Sequence, residues 1–168
     1  MKTHRVITII GWLVSGILLF LWQEKYLPFH YEYIEQFRLF HYSADYFIEH
    51  CSYPSGIIEY LGSFLIQFFN QPHVGAGIVT ILLLSVGIGI QQIFKRIASH
   101  VDMPLAYLLP TLFLLFAGMD INYHLEGTLA FALSVWFLNI QVSFVRPVHR
   151  MISGVLLSWA LYYLAGPA

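Results

Sequence analysis

The sequence predicts an all-α membrane protein with about five transmembrane helices and two amphipathic interfacial helices in its first extracytoplasmic loop. Composition is the first reason: 58% of the 168 residues are apolar and only 10% are charged, against roughly 25% charged residues in a soluble globular domain. The second reason is that the apolar residues form runs close to the ~20 residues that carry a helix across a bilayer. A net charge of −1 excludes the basic surface typical of nucleic-acid-binding proteins.

Five apolar segments are the candidate spans, at residues 6–22, 74–94, 103–119, 127–144 and 151–165. The first of them also resembles a secretory signal. It is long for the apolar core of such a signal, however, and no small-residue cleavage site follows it. We therefore expect an uncleaved first helix and a single membrane domain over residues 1–168.

The basic residues indicate the orientation of these spans. If the chain alternates between the two sides, six of the eight Lys and Arg residues fall together: Lys2, Arg5, Lys95, Arg96, Arg146 and Arg150. Cytoplasmic loops are enriched in Lys and Arg, so a cytoplasmic N-terminus in a bacterial inner membrane is predicted. All the acidic residues except Asp102 then fall on the opposite, outer side.

Residues 23–73 lie on the outer side and contain two amphipathic patterns. On a 3.6-residue period, residues 32–51 place Glu35, Arg38, Tyr42, Asp45 and Glu49 on one polar face. Residues 56–69 repeat such a pattern after a break at Pro54, and both stretches are predicted to lie in the membrane interface. The alternative is a pair of extra spans, but burying the four charges would cost roughly 2.5–3.5 kcal/mol each.

Two polar clusters are candidates for chemistry on the outer side. The candidate catalytic residues are Glu35, Asp45, Asp120 and Glu126, and the candidate substrate-binding residues are Arg38, Tyr42 and His124. A carboxylate can act as a general base, and an arginine can bind an anionic phosphate. The alternative for the first cluster is a solvated helix face with helical ion pairs. A short polar turn is the alternative for the second.

No cofactor and no metal site is predicted. Five histidines are expected on the outer side, but none of them is spaced as an HxH or HxxxH pair, and we expect them to be structural. The outer acids leave a divalent metal as an alternative. Cys51 is the single cysteine, so neither a disulfide framework nor a cysteine-based metal site is expected.

The layout resembles the N-terminal part of GT-C integral-membrane glycosyltransferases. Those enzymes typically have an acidic pair soon after the first span, a Gly-Asp-Tyr-like stretch, a Pro-Pro-Leu-like break, an amphipathic helix and a Phe-Gly-like turn. The matching segments here are Glu35-Gln36, Ala44-Asp45-Tyr46-Phe47, Tyr53-Pro54-Ser55-Gly56, residues 57–69 and residues 70–75. The stretches 35–37, 60–64 and 67–69 also resemble a family of bacterial multi-spanning membrane proteins without an assigned function.

The GT-C resemblance implies transfer of a sugar from a polyprenyl-phosphate donor at the outer face. It implies that Glu35 is the base on the acceptor, that Asp120 or Glu126 is the second-loop acid, and that Arg38 meets the donor phosphate. Such enzymes have many more spans, so we expect this chain to be part of a longer protein or assembly. Its expected partners are the bilayer, a polyprenyl-phosphate lipid, and further subunits or a C-terminal part. The alternative function is a non-catalytic membrane subunit or scaffold, either a transporter component or a partner-docking protein.

Overall fold

The computed structural model describes residues 2–97 and 107–166 (for residues 2–5 the backbone alone), and all regular elements in these ranges are helical. In chain order they are α1 (Lys2–Tyr26), α2 (Pro28–Gln36), α3 (Ala44–Cys51), α4 (Gly56–Ile66), a 3-10 turn (Gln67–Asn70), α5 (Pro72–Ile97), α6 (Leu108–Ala117), α7 (Leu125–Ser143) and α8 (Pro147–Ala165). The all-α prediction is confirmed for this part of the chain.

Helix α5 is the centre of the fold, because it packs against α1, α6 and α7. Glycines on α5 permit this packing. A Cβ atom at Gly87 would lie 2.5 Å from Cη2 of Trp12 on α1, and one at Gly89 would lie 2.6 Å from Cγ1 of Val135 on α7. Small residues allow helices to approach closely where packing drives their association. The buried core between α5, α6 and α7 consists of Leu83, Val86, Ile93, Leu114, Leu115, Ala132 and Val135.

The helices run between two ends that differ in charge. At one end, Arg96 of α5 donates hydrogen bonds to the Asn139 carbonyl and the Ser143 hydroxyl near the end of α7. The chain then enters α8 through Arg146, and Arg150 lies in the first turns of that helix. We call this the basic end.

The opposite end carries acidic residues, the segment between α1 and α5, and the turn from α6 to α7. His73 at the start of α5 contacts Glu24 near the end of α1, with 2.7 Å between Nδ1 and Oε1. The turn from α6 to α7 lies beside α2, since the His30 ring is 2.8 Å from the Gly118 carbonyl oxygen. Helix α8 also ends here, where the Tyr163 hydroxyl donates to the Cys51 carbonyl. We call this the acidic end.

A buried glutamine fixes the position of α2 at the acidic end. Gln23 of α1 is fully buried, and its amide nitrogen donates to the Thr80 hydroxyl of α5 at 2.8 Å. The Tyr31 hydroxyl of α2 donates to the Gln23 side-chain oxygen. Burying a polar group without a hydrogen-bond partner destabilises the fold. The need to pair Gln23, Thr80 and Tyr31 therefore determines how α2 packs on α1 and α5. Burial raises the pKa of Tyr31 well above its usual range, which keeps its hydroxyl a donor.

Within the described part of the chain, three helices are long and apolar enough to cross a membrane: residues Val6–Tyr26 of α1, α5 and α7. They correspond to the predicted spans 6–22, 74–94 and 127–144. For the predicted span 103–119 the structure describes α6, which has 10 residues, and residues 103–106 lie outside the described ranges. Helix α8 covers the predicted span 151–165. Polar residues in its first turns lower its mean hydropathy, and it is not among the three helices. The predicted count of about five spans is therefore not confirmed.

The predicted single helix over residues 32–51 is wrong. Helix α2 ends at Gln36, and α3 does not begin until Ala44. The Ser43 hydroxyl accepts a hydrogen bond from the Tyr46 backbone N–H, so Ser43 is an N-cap that starts a new helix. The predicted polar face therefore does not form as one surface. The second predicted stretch, 56–69, is helical as α4 and the 3-10 turn.

Candidate functional site

Side chains from two distant segments meet at the acidic end. Arg38, which follows α2, donates a hydrogen bond and forms an ion pair with Glu126 in the first turn of α7. Its second terminal nitrogen donates to Nδ1 of His124. The Arg38–Glu126 ion pair and the His124 contact join the first and second predicted clusters. All three residues were candidate site residues from the sequence.

Glu126 is the most confined member of this group. The residue is 4% exposed, and its Oε2 atom is buried without a hydrogen-bond partner among the described residues. Helix α4 makes room for the carboxylate by carrying a glycine opposite it. A Cβ atom at Gly62 would lie 2.7–2.9 Å from Cγ, Cδ and Oε1 of Glu126. A buried carboxylate is strongly disfavoured without a cation, so the nearby guanidinium is essential to its placement.

The non-helical segment 37–43 allows Arg38 to reach Glu126. Within this segment the ring of Phe40 packs against α4, with its centroid 4.9 Å from that of Tyr60 and 5.5 Å from that of Phe64. Aromatic pairs at such separations add stability beyond their burial. The Phe40 contacts and the Ser43 cap together explain why the chain leaves the helical path between α2 and α3.

Two adjoining clefts share Arg38 in their lining. The polar cleft has a volume of about 480 Å³ and is lined by Arg38, Glu59, Asn122, Tyr123, His124, Glu126 and Gly127. The apolar cleft has a volume of about 260 Å³ and shares Arg38, Asn122, Tyr123 and His124, but its other lining residues are Tyr33, Ile34, Phe37, Ile66, Ile121 and Leu125. Arg38 therefore lines both clefts, which differ in the side chains that each adds: aromatic and aliphatic ones in the apolar cleft, and carboxylates in the polar cleft.

Glu59 is a second carboxylate in the polar cleft, and two hydroxyls hold it. Ser55 donates to Oε1 at 2.6 Å, and Tyr53 donates to Oε2 at 3.0 Å. Burial and the hydrogen bond to Glu59 raise the pKa of Tyr53 to about 12, so the phenol remains a donor at neutral pH. Ser55 itself has a left-handed backbone, with φ of 74°, and its N–H donates to the Tyr163 carbonyl.

The other candidate residues lie outside both clefts. Glu35 is half-buried near the end of α2, and Asp45 is exposed in the first turn of α3. The exposed Tyr42 hydroxyl donates to the Gln67 side chain. Asp120 is exposed, and its Oδ1 accepts from the Asn122 backbone N–H at 2.9 Å. This Asx-type contact is typical of a turn.

Sequence reasoning missed Glu59 and Gly62 as site residues. Both residues belong to the predicted amphipathic stretch 56–69, but neither is among the candidate site residues. An acidic residue in the first turn of a helix, after a Pro-Ser-Gly break, is an available signal for Glu59. Gly62 has no local signal, because its role depends on a carboxylate 64 positions later in the chain.

Among residues 6–97 and 107–166, no group of three or more His, Cys, Asp or Glu side chains could hold a metal ion. The polar cleft instead combines one guanidinium, one imidazole and two carboxylates. This set can bind a phosphate and can accept a proton from a hydroxyl.

The fold and the site define an all-helical protein with membrane-compatible helices and a charged cleft at one end. The chain belongs to a family of unknown function (DUF6057), whose family model matches residues 3–168. This agrees with the resemblance to a family without an assigned function. Neither the curated proteins nor the solved structures contain a significant match. None of these comparisons supports the GT-C resemblance.

We expect Gly62→Ala to destabilise the protein by about 1–3 kcal/mol, because an added methyl group in a filled site forces its neighbours to move. The neighbour here is the Glu126 carboxylate. Thermal unfolding of the purified protein in detergent measures the effect. Gly11→Ala is the matched control, since a Cβ atom there meets nothing within 4 Å. Equal unfolding temperatures for both variants would contradict the close contact between α4 and Glu126.

Proposed function

We propose that this chain is a membrane-embedded part of a glycosyltransferase that takes a sugar from a polyprenyl-phosphate carrier. The observation that supports the proposal is that Arg38 lines both clefts, one of which adds apolar side chains and the other carboxylates. A lipid-linked sugar has the same order of parts: an apolar chain, a phosphate and a polar head group. In this arrangement the start of the chain lies in the apolar cleft and the sugar lies in the polar cleft.

Arg38 retains the capacity to bind the phosphate while it holds Glu126. A guanidinium has five N–H donors, and the contacts to Glu126 and His124 occupy two of them. Charge-assisted hydrogen bonds from arginine to phosphate are short and are often bidentate. The same side chain therefore positions the carboxylate and meets the donor.

The transfer step needs a carboxylate next to the phosphate site. The acceptor hydroxyl loses its proton to Glu126, its oxygen bonds to the anomeric carbon of the sugar, and the bond from that carbon to the phosphate oxygen breaks. The phosphate leaves with its negative charge facing Arg38, which stabilises the developing charge. The unpaired Oε2 of Glu126 supports its role as the base. Glu35, the base implied by the GT-C resemblance, lines neither cleft.

The proposed placement has α1, α5, α7, α8 and the predicted span 103–119, which contains α6, crossing a bacterial inner membrane. The basic end faces the cytoplasm, in line with the enrichment of Lys and Arg in cytoplasmic loops, and the acidic end faces outward. The clefts then open at the level of the outer lipid head groups, where a polyprenyl phosphate presents its sugar.

A second candidate function is a non-catalytic subunit that docks a membrane partner. The observation that favours it is an exposed stripe on α8 formed by Met151, Val155, Trp159 and Tyr162, which are 59–74% exposed. These positions recur at helical spacing and form one face. The partner is then a further membrane subunit or a further part of the same protein.

We expect a membrane-impermeant maleimide to label the acidic end from outside the cell. In a Cys51→Ser background, Asp45→Cys reports on the acidic end and Arg146→Cys on the basic end, and both positions are exposed. Asp45→Cys reacts in intact spheroplasts, whereas Arg146→Cys reacts only after permeabilisation. The reverse pattern would place the clefts in the cytoplasm and overturn the proposed orientation.

We expect Arg38→Gln to weaken binding of undecaprenyl phosphate about tenfold or more, because charge-assisted hydrogen bonds contribute roughly 1.5–3 kcal/mol. Native mass spectrometry of the purified protein measures the bound fraction, with undecaprenol as the ligand that lacks phosphate. Arg150→Gln removes the same charge at the basic end and serves as the matched control. Equal binding of the phosphate and the alcohol to the unmodified protein would refute the proposed function.

We expect Glu126→Gln, introduced into the chromosomal gene, to make cells accumulate the lipid-linked sugar that the enzyme consumes. Without the carboxylate the acceptor proton has no base, while the phosphate site remains. Mass spectrometry of lipid extracts identifies the accumulated polyprenyl phosphate ester. Asp120→Asn is the matched control, because that acid is exposed and lies outside both clefts. If the two strains have the same polyprenyl lipids as the parent, Glu126 is not the base.

A further inference from the structure

The carboxylate of Glu59 is held in place but is not neutralised. Its two oxygens accept hydrogen bonds from the hydroxyls of Ser55 and Tyr53, and it makes no ion pair within residues 6–97 and 107–166. Two neutral donors fix the rotamer of this side chain and leave its negative charge facing the polar cleft.

The polar cleft as a whole has more negative than positive charge. Its described lining contains the carboxylates of Glu59 and Glu126 and the guanidinium of Arg38. His124 adds no cation, because its Nδ1 accepts a hydrogen bond from Arg38 and is therefore unprotonated, which leaves a neutral ring with its proton on Nε2. Glu126 is already paired with Arg38, so Glu59 is the carboxylate without a counter-charge.

A second observation also indicates that a hydrogen-bond donor is missing from this cleft. Glu126 is 4% exposed and lines the cleft, and its Oε2 has no partner among the described residues. Buried polar atoms in native proteins are nearly always paired. A ligand that brings N–H or O–H donors into the cleft would satisfy this atom.

The proposed lipid substrate increases the imbalance. A phosphodiester bound at Arg38 adds one negative charge next to the two carboxylates. Like charges in a confined site repel each other. A head group with a positive charge would restore neutrality, whereas a neutral sugar would not.

We infer that the polar cleft binds a head group that carries a protonated primary amine, and that Glu59 is the residue that selects it. The inference rests on the proposed function, in which Arg38 holds the lipid phosphate. The substrate class is then a polyprenyl-phosphate-linked amino sugar. The ammonium pairs with Glu59, and Glu126 remains available to the acceptor hydroxyl.

The test compares two synthetic ligands that differ in one group. Farnesyl phosphoethanolamine carries an ammonium, and the corresponding ethylene glycol ester carries a hydroxyl in its place. Native mass spectrometry of the purified full chain in detergent measures binding of both. We expect the amine to bind about tenfold more tightly to the unmodified protein, because hydrogen bonds to charged groups are the stronger class.

Variants assign the preference to its residue. With Glu59→Gln, we expect the amine and hydroxyl ligands to bind about equally, while both still bind through their phosphate. Glu49→Gln, which changes an exposed acid of α3 outside the cleft, is expected to leave the preference unchanged. The preference in the unmodified protein tests the inference even if Glu59→Gln proves unstable.

The outcomes separate the inference from the proposed function. If neither ligand binds, or if Arg38→Gln does not weaken binding, the phosphate site is wrong and the proposed function fails. If both ligands bind equally to the unmodified protein and Arg38→Gln weakens both, the phosphate site stands and the amine inference is wrong. If the Glu59→Gln variant still prefers the amine ligand, another residue selects the amine and the role proposed for Glu59 is wrong.

Discussion

The acidic end of this fold depends on one buried carboxylate. Glu126 lies at the start of α7, closely covered by α4, where a charge is tolerated only next to an opposite charge. The required cation is Arg38, 88 positions earlier in the chain, and its side chain reaches the carboxylate because the backbone leaves the helical path after Gln36. The Gln23 network fixes the position of α2, the helix that precedes Arg38. Both clefts take their shape from this pairing.

The sequence was sufficient to predict the long apolar helices and several of the charged residues of the site. Helices α1, α5 and α7 coincide with predicted spans because a run of about twenty mostly apolar residues is a local property of the sequence. Arg38, His124 and Glu126 were named as candidates, but which of the outer acids meets Arg38 could not be predicted. That choice depends on contacts between segments far apart in the chain.

The error over residues 32–51 has a specific physical cause. The amphipathic period continues through the break, so a periodicity argument extends one helix across it. The decisive contacts are the N-cap at Ser43 and the packing of Phe40 against Tyr60 and Phe64. The cap is a local signal that could have been read from the sequence. The aromatic packing is not local, because it requires α4 to be in place first.

The glycine opposite Glu126 also limits which substitutions this chain can accept at either position. A side chain at position 62 would occupy the space that the carboxylate fills, and a shorter residue at position 126 would leave a void and an unpaired guanidinium. Neither change is neutral alone, so the two positions cannot drift independently. Residues 62 and 126 therefore form a linked pair, and descendants that lose one are expected to carry a compensating replacement of the other.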